Sequence, residues 1–255
     1  MGKIPIGLQL YSIRHEAEAD LAGTLKKIAA MGYEGADFAG YYGHSAADVK
    51  AMLDDAGLRC CGGHLGLNTL LGDELPKTIE YQATLENPYL IVPGLGAEYT
   101  GSVENWTRTA GVFNEIAEKL APHGMYTGYH NHNTEFPPID GQIPWEVFMS
   151  NTTQRVIGQL DMGNALFGGA DLISLLRKYP GRSGTVHLKP YKTGLEGEAA
   201  FRPIIGEDSV PWADVFEACE TVGGTQWYIV EYESDAYPPL EAVHRCLDAL
   251  RAMDK

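Results

Sequence analysis

The chain has no apolar run approaching the roughly 18 consecutive residues that cross a bilayer, and its start, Met1-Gly2-Lys3-Ile4-Pro5, carries no long apolar stretch after the lysine. Neither a membrane span nor a secretory leader is expected. Basic charge is scarce too: 19 Lys and Arg face 34 Asp and Glu, a formal balance of -15. Proteins that grip phosphate backbones usually present a basic face that displaces counterions, so nucleic acid and anionic membranes are not expected partners. The four cysteines, Cys60, Cys61, Cys219 and Cys246, show no C-x-x-C spacing. They read as small core residues rather than a disulfide frame. No Walker-type glycine loop occurs, and Gly94-Leu95-Gly96 lacks the third glycine and acidic partner of a dinucleotide site. Linkers and low-complexity tracts are also missing, which leaves one domain spanning 1-255 in a cytoplasmic, reducing setting.

What is present is an alternation of short apolar runs with longer amphipathic ones, the pattern of βα units around a parallel sheet. Strands are expected at Ile6 to Leu10, Gly35 to Phe38, Arg59 to Gly62, Tyr89 to Val92, Tyr126 to Tyr129, Val156 to Leu160, Gly184 to Leu188 and Trp227 to Val230. Between them apolar residues recur at helical spacing, as in Leu21, Leu25, Ile28 and Ala29, or Val49, Met52 and Leu53. Ser45 and Asp48 form a capping-box pattern, and Gly32 and Gly57 stand where helices should stop. Eight such repeats predict a single (β/α)8 TIM barrel, a fold whose usual length is about 250 residues. Trp145 and Trp212, inside predicted helices, read as core. Long loops follow the fourth, fifth and seventh strands, on the face where such barrels hold their active sites.

The strand ends carry the chemistry. Tyr129-His130-Asn131-His132 closes one apolar run, and three others run into Asp161, His187 and Glu231. In a barrel these ends converge on one mouth, so residues distant in sequence become neighbours. Imidazole nitrogen with carboxylate oxygen suits a divalent ion of the Mn, Co, Zn or Fe type. Because side chains alternate along a strand, His130 and His132 project to the same side. His130 lies closer to the strand body and is expected as the ligand, with His132 as a neighbouring or substrate contact. Lys189, two residues after His187, should face the same way. Tyr11, Asp37 and His64 end other strands and are expected to touch substrate, and Glu135 to orient a histidine or bind substrate. His15, His44, His123 and His244 fall away from the mouth and receive no role.

Several segments together resemble the sugar phosphate isomerase/epimerase group with the xylose-isomerase-like TIM barrel, which includes inosose dehydratases and keto-sugar epimerases. The carriers are Gly7-Leu8-Gln9-Leu10-Tyr11-Ser12, Gly32-Tyr33-Glu34-Gly35, Phe38-Ala39-Gly40-Tyr41-Tyr42-Gly43, Tyr129-His130-Asn131-His132, Leu160-Asp161-Met162-Gly163-Asn164, Val186-His187-Leu188-Lys189 and Tyr228-Ile229-Val230-Glu231. The resemblance implies a dication held by an acidic residue, Asp, His and Glu; Asp161, His187 and Glu231 match, while His130 stands where the group most often has Glu. Asp37 likewise replaces a usual Glu. The resemblance also implies a small carbohydrate substrate and is compatible with a homo-oligomer.

The expected activity is that of a metal-dependent isomerase or epimerase of a keto-sugar or keto-glycoside, acting through a metal-stabilised enediolate, with Glu231, His132 and Lys189 as catalytic residues. Metal ligands are expected at His130, Asp161, His187 and Glu231, with manganese first and Co, Zn, Fe or Mg as alternatives. A lyase of the inosose-dehydratase type shares the same first step. A non-catalytic sugar-binding barrel is a further alternative, and an abasic-site endonuclease would want a basic surface that the charge balance does not offer.

Overall fold

The computed structural model describes residues 2–255. Eight parallel strands appear where the apolar runs stand: β1 (Ile6–Gln9), β2 (Gly35–Phe38), β3 (Arg59–His64), β4 (Tyr89–Val92), β5 (Tyr126–His130), β6 (Val156–Gln159), β7 (Thr185–Leu188) and β8 (Trp227–Val230). Neighbours pair in the order β6-β5-β4-β3-β2-β1-β8-β7. The two ends of that order meet through a parallel bridge between Asp161 and His187, in which His187 N–H donates to Leu160 O at 2.9 Å. The sheet is thus a nearly closed barrel. Lower on the same seam, Gly158 N–H donates to Arg182 O, and the buried Arg182 guanidinium donates to Val156 O at 2.9 Å and to Met149 O at 2.7 Å.

Helices cover the outside, among them Leu21–Met31, Ala46–Ala56, Val103–Leu120 and Pro239–Ala252. Their boundaries follow local chemistry. Ser45 Oγ accepts from Asp48 N–H, and Gly32 and Gly57 take the left-handed conformation (φ 104° and 72°) that lets each helix end without a Cβ clash. Trp145 and Trp212 pack into the helix–strand core, and all four cysteines are buried thiols. The loops after β4, β5 and β7 are less irregular than expected. Each contains a short turn of helix: Ala97–Thr100, Asn133–Glu135 and Gly197–Phe201. Among the described residues no helix is long and apolar enough to cross a membrane.

Strand alternation divides the side chains into two sets. One set meets the helices, and the other fills the barrel interior with Cys61, Tyr89, Ile91, Ile157, Trp227 and Ile229. Two residues further along β6 and β8 from Ile157 and Ile229 stand Gln159 and Glu231, so the interior turns from apolar to polar towards the carboxyl ends of the strands. Gly128, two before His130, leaves no room for a side chain: a Cβ there would lie 2.5 Å from Ile157 O on the adjacent strand. Because that neighbour is backbone, Gly128→Ala should destabilise the protein by about 1–3 kcal/mol through overpacking. Thermal unfolding would read this as a lower Tm, and an unchanged Tm would show that β5 and β6 can separate freely.

Candidate metal and sugar site

Four side chains from four strand ends converge at the mouth. Ligating atoms of His130, Asp161, His187 and Glu231 all lie within 4.8 Å of one another, and all four residues are buried. Asp161 owes its position to its own helix: its Oδ1 caps the turn Met162–Phe167 by accepting from Asn164 N–H at 2.7 Å. The Asp161 N–H donates to Asn131 Oδ1 at 2.9 Å, which ties β6 to the residue between the two histidines. Asp161 Oδ2 is buried without any hydrogen-bond partner. An ionised carboxylate oxygen in that condition is costly unless a cation or proton answers it. Two imidazoles and two carboxylates with an unanswered oxygen among them fit a divalent ion of the Mn, Co, Zn or Fe type.

His187 is the centre of the network. One ring nitrogen, Nδ1, bonds Glu231 Oε2, while Nε2 lies 3.0 Å from Asp37 Oδ2. Asp37 Oδ2 also accepts from Gln9 Nε2 at 3.1 Å. Lys189 Nζ donates to Glu231 Oε1 at 3.3 Å and to Glu233 Oε2.

These contacts set the charges. Burial alone would lower the His187 pKa, but hydrogen bonds to Asp37 and Glu231 outweigh it and raise it to about 10. Burial would raise Glu231, yet Lys189 and His187 hold it well below the usual carboxylate range. Lys189 is raised, because Glu231, Asp161 and Glu233 outweigh its desolvation. Desolvation dominates at Asp161, pushing it up to about 7 against the pull of Lys189. His130 falls well below its ordinary value through burial and the nearby His187 and His64.

Of the two histidines in Tyr129-His130-Asn131-His132, only His130 joins the cluster. His132 is exposed, its ring centroid 5.3 Å from that of His130. Its side chain accepts from Glu135 N–H while Glu135 Oε2 accepts from His132 N–H at 2.7 Å, a reciprocal cap of the turn Asn133–Glu135. Glu135 is buried and also accepts from Tyr129 OH at 3.1 Å, so both its oxygens serve the loop. Asp37 is also fully buried; its Oδ2 meets His187 and Gln9, while its Oδ1 has no hydrogen-bond partner. His64 is half-buried, with Nε2 2.8 Å from Gln159 Oε1, and Tyr11 is 44% exposed beneath the Arg14 guanidinium. Sequence reasoning passed over Gln159 and Glu233, although each lies two residues from an expected ligand on its strand or just beyond it.

A family model described as "Xylose isomerase-like TIM barrel" matches residues 25–253. Inosose dehydratase of Klebsiella pneumoniae is 24% identical over 248 residues, covering 83% of this chain and 82% of that protein. The rhizopine catabolism protein MocC of Rhizobium meliloti is 24% identical over 258 residues, covering 86% and 76%. A solved sugar phosphate isomerase/epimerase from Parabacteroides distasonis superposes with a TM-score of 0.79 at 26% identity, covering 99% of this chain and 95% of that one.

Proposed function

Because this chain belongs to the xylose isomerase-like TIM barrel family, we propose that it is a divalent-metal-dependent isomerase or epimerase of a keto-sugar or keto-glycoside. His130, Asp161, His187 and Glu231 would hold the ion. The observation that carries this reading is their convergence within 4.8 Å around an Asp161 oxygen that has no partner. A dication bound there supplies Lewis-acid polarisation of a substrate carbonyl, which eases loss of a proton from the neighbouring carbon.

The chain's own residues divide the proton work. Lys189 keeps its proton, since its pKa is raised by the carboxylates around it, and therefore acts as a hydrogen-bond donor to developing negative charge rather than as a base. Glu231 is ionised and is the base in this reading; because His187 and Lys189 occupy both its oxygens and lower its proton affinity, it takes a proton only as one of those bonds gives way. One ring nitrogen of His132 already accepts from Glu135 N–H, so in the neutral ring the other carries the proton. His132 is the donor at the rim. Tyr11 and His64 are the proposed substrate contacts, while Asp37 orients His187 and Glu135 orients the His132 loop.

The lyase reading shares this machinery and draws support from the inosose dehydratases among the relatives. Elimination needs an acid for the departing hydroxyl, and His132 is available for it. Incubating the Mn-loaded protein with a panel of keto-sugars in deuterated water and following by NMR separates the readings. Deuterium at the carbon beside the carbonyl together with an isomerised product supports the first, and an unsaturated product the second. A protein that takes up no metal and exchanges no proton in any of them would end both. As a control, His123, exposed at the end of the turn Ala121–His123, should tolerate alanine, with turnover unchanged and stability within about 0.5 kcal/mol.

A further inference from the structure

We propose that Gln159 is a positioning residue that decides which ring nitrogen His130 offers to a metal ion. Its amide imposes the Nδ1–H tautomer on His130 and the Nε2–H tautomer on His64. This rests on the reading of His130 as a ligand given above.

Gln159 is fully buried on β6 and reaches three other strands. Its Nε2 donates to Thr185 Oγ1 on β7 at 2.9 Å. Its Oε1 lies 2.8 Å from His64 Nε2 at the end of β3 and 3.2 Å from His130 Nδ1 on β5. An amide oxygen can only accept, so each imidazole nitrogen facing it must carry a proton. A neutral imidazole has one N–H, which leaves His130 with its lone pair on Nε2 and His64 with its lone pair on Nδ1. The opposite amide orientation would present the NH2 to both rings and drive their protons to the far nitrogens. His130 Nε2 would then be an N–H donor, unable to ligate. A single amide rotamer therefore separates a ligating His130 from a non-ligating one.

The rings cannot easily escape that choice by turning over. The His130 centroid lies 4.8 Å from His64 and 4.7 Å from His187, and His64 stacks on His187 at 5.2 Å with 10° between planes. Each ring is walled by the others, so a flip of one displaces its neighbours. Thr185 holds the far end of the amide, with its hydroxyl buried at the same depth of the barrel. A carboxamide that only filled space at this position would need neither the histidines' N–H groups nor the threonine hydroxyl. Here both of its ends are engaged.

The test is long-range 1H–15N correlation of histidine side chains in 15N-histidine-labelled protein, metal-free and Zn-loaded, near pH 8, with His64→Asn used for assignment. In the unmodified protein His130 should give the pattern of a protonated Nδ1 and an unprotonated Nε2, and His64 the reverse. Gln159→Met should erase that preference and weaken Zn or Mn affinity by about 10–100-fold, the usual effect of removing a partner that orients a ligand. Gln159→Glu, which keeps acceptor oxygens facing the rings and adds a charge that favours imidazolium, should keep a proton on His130 Nδ1 and on His64 Nε2. An Nε2–H His130 in the unmodified protein would overturn the proposal, as would Gln159→Met with unaltered tautomers and affinity. Should Gln159→Met not fold, the unmodified protein and Gln159→Glu still decide it. If the protein binds no metal at all, the functional reading fails, while the tautomers of the metal-free protein report on Gln159 independently.

Discussion

Replacing Glu231 by glutamine should cut kcat/KM by about 10²–10⁴-fold, the range a positioned proton-transfer group commonly contributes. The geometry says why so small a change should matter. Glu231 bonds His187 through Oε2 and Lys189 through Oε1, so it is at once a proposed ligand, the proposed base and the counter-charge for a buried lysine. Glutamine keeps the shape but turns one of those two acceptor oxygens into an NH2, which must set a donor against either the imidazole or the ammonium. Lys189 retains Glu233 as a partner, which should hold the fold together. His187→Ala should be as damaging to turnover and more damaging to stability, because it leaves Asp37 Oδ2 and Glu231 Oε2 without the ring that joins them. Removing one member of a buried ionic pair costs about 3–5 kcal/mol. Steady-state kinetics, metal content by elemental analysis and far-UV circular dichroism would be read on all three proteins. Full activity in either variant after metal depletion would contradict the assignment.

How far the sequence shows this site depends on what each residue's position encodes. Period-two alternation tells which face of a strand a residue takes, and the apolar run tells where the strand stops. That suffices to bring His130, Asp161, His187 and Glu231 to one mouth. Depth inside the barrel is another matter. Asp37 stands inside β2, one residue before its end, whereas Asp161 lies two residues past β6, and the β2–β3 register shifts by one residue between Ala36 and Asp37, setting Gly62 opposite a carboxylate that is sealed behind His187. A Cβ on Gly62 would lie 2.6 Å from Asp37 Oδ1, so the glycine makes the space that the carboxylate fills. No local pattern announces such a bulge. Gln159 was legible in principle, as the residue two before Asp161 on the same face, but a glutamine in an apolar strand gives no sign of its partners until His64, His130 and Thr185 are in place. Glu233 lies past the end of β8, where alternation stops predicting direction. The reciprocal cap between His132 and Glu135 was hidden for a simpler reason: histidine is not among the residues that usually begin a helical turn.

Metal uptake should release protons, and the apparent affinity should climb with pH along a slope set by two of the ligands. His187 is held as an imidazolium up to about 10, and Asp161 keeps its proton up to about 7. Both must lose that proton to ligate. Glu231 and His130 are shifted in the opposite sense and are already in their ligating forms at neutral pH. Below about pH 7 two protons therefore leave per ion, between about 7 and 10 only one does, and above that none. The logarithm of the association constant should rise with a slope near two, then near one, then level. Stability of the metal-free protein moves the other way. A histidine raised from 6.5 to about 10 stabilises the fold fully below 6.5 and loses that contribution as pH climbs through 10. Asp161, raised from 3.8 to about 7, favours the folded state at acid pH and withdraws that support as pH rises through 7. Metal-free Tm should accordingly fall between pH 7 and 9, and the Tm gain on adding Mn or Zn should widen over the same interval. Calorimetric titrations in two buffers of different ionisation enthalpy would count the protons directly. An affinity independent of pH between 7 and 9, with no proton released, would mean that His187 is not a ligand and that the ion, if bound, sits elsewhere.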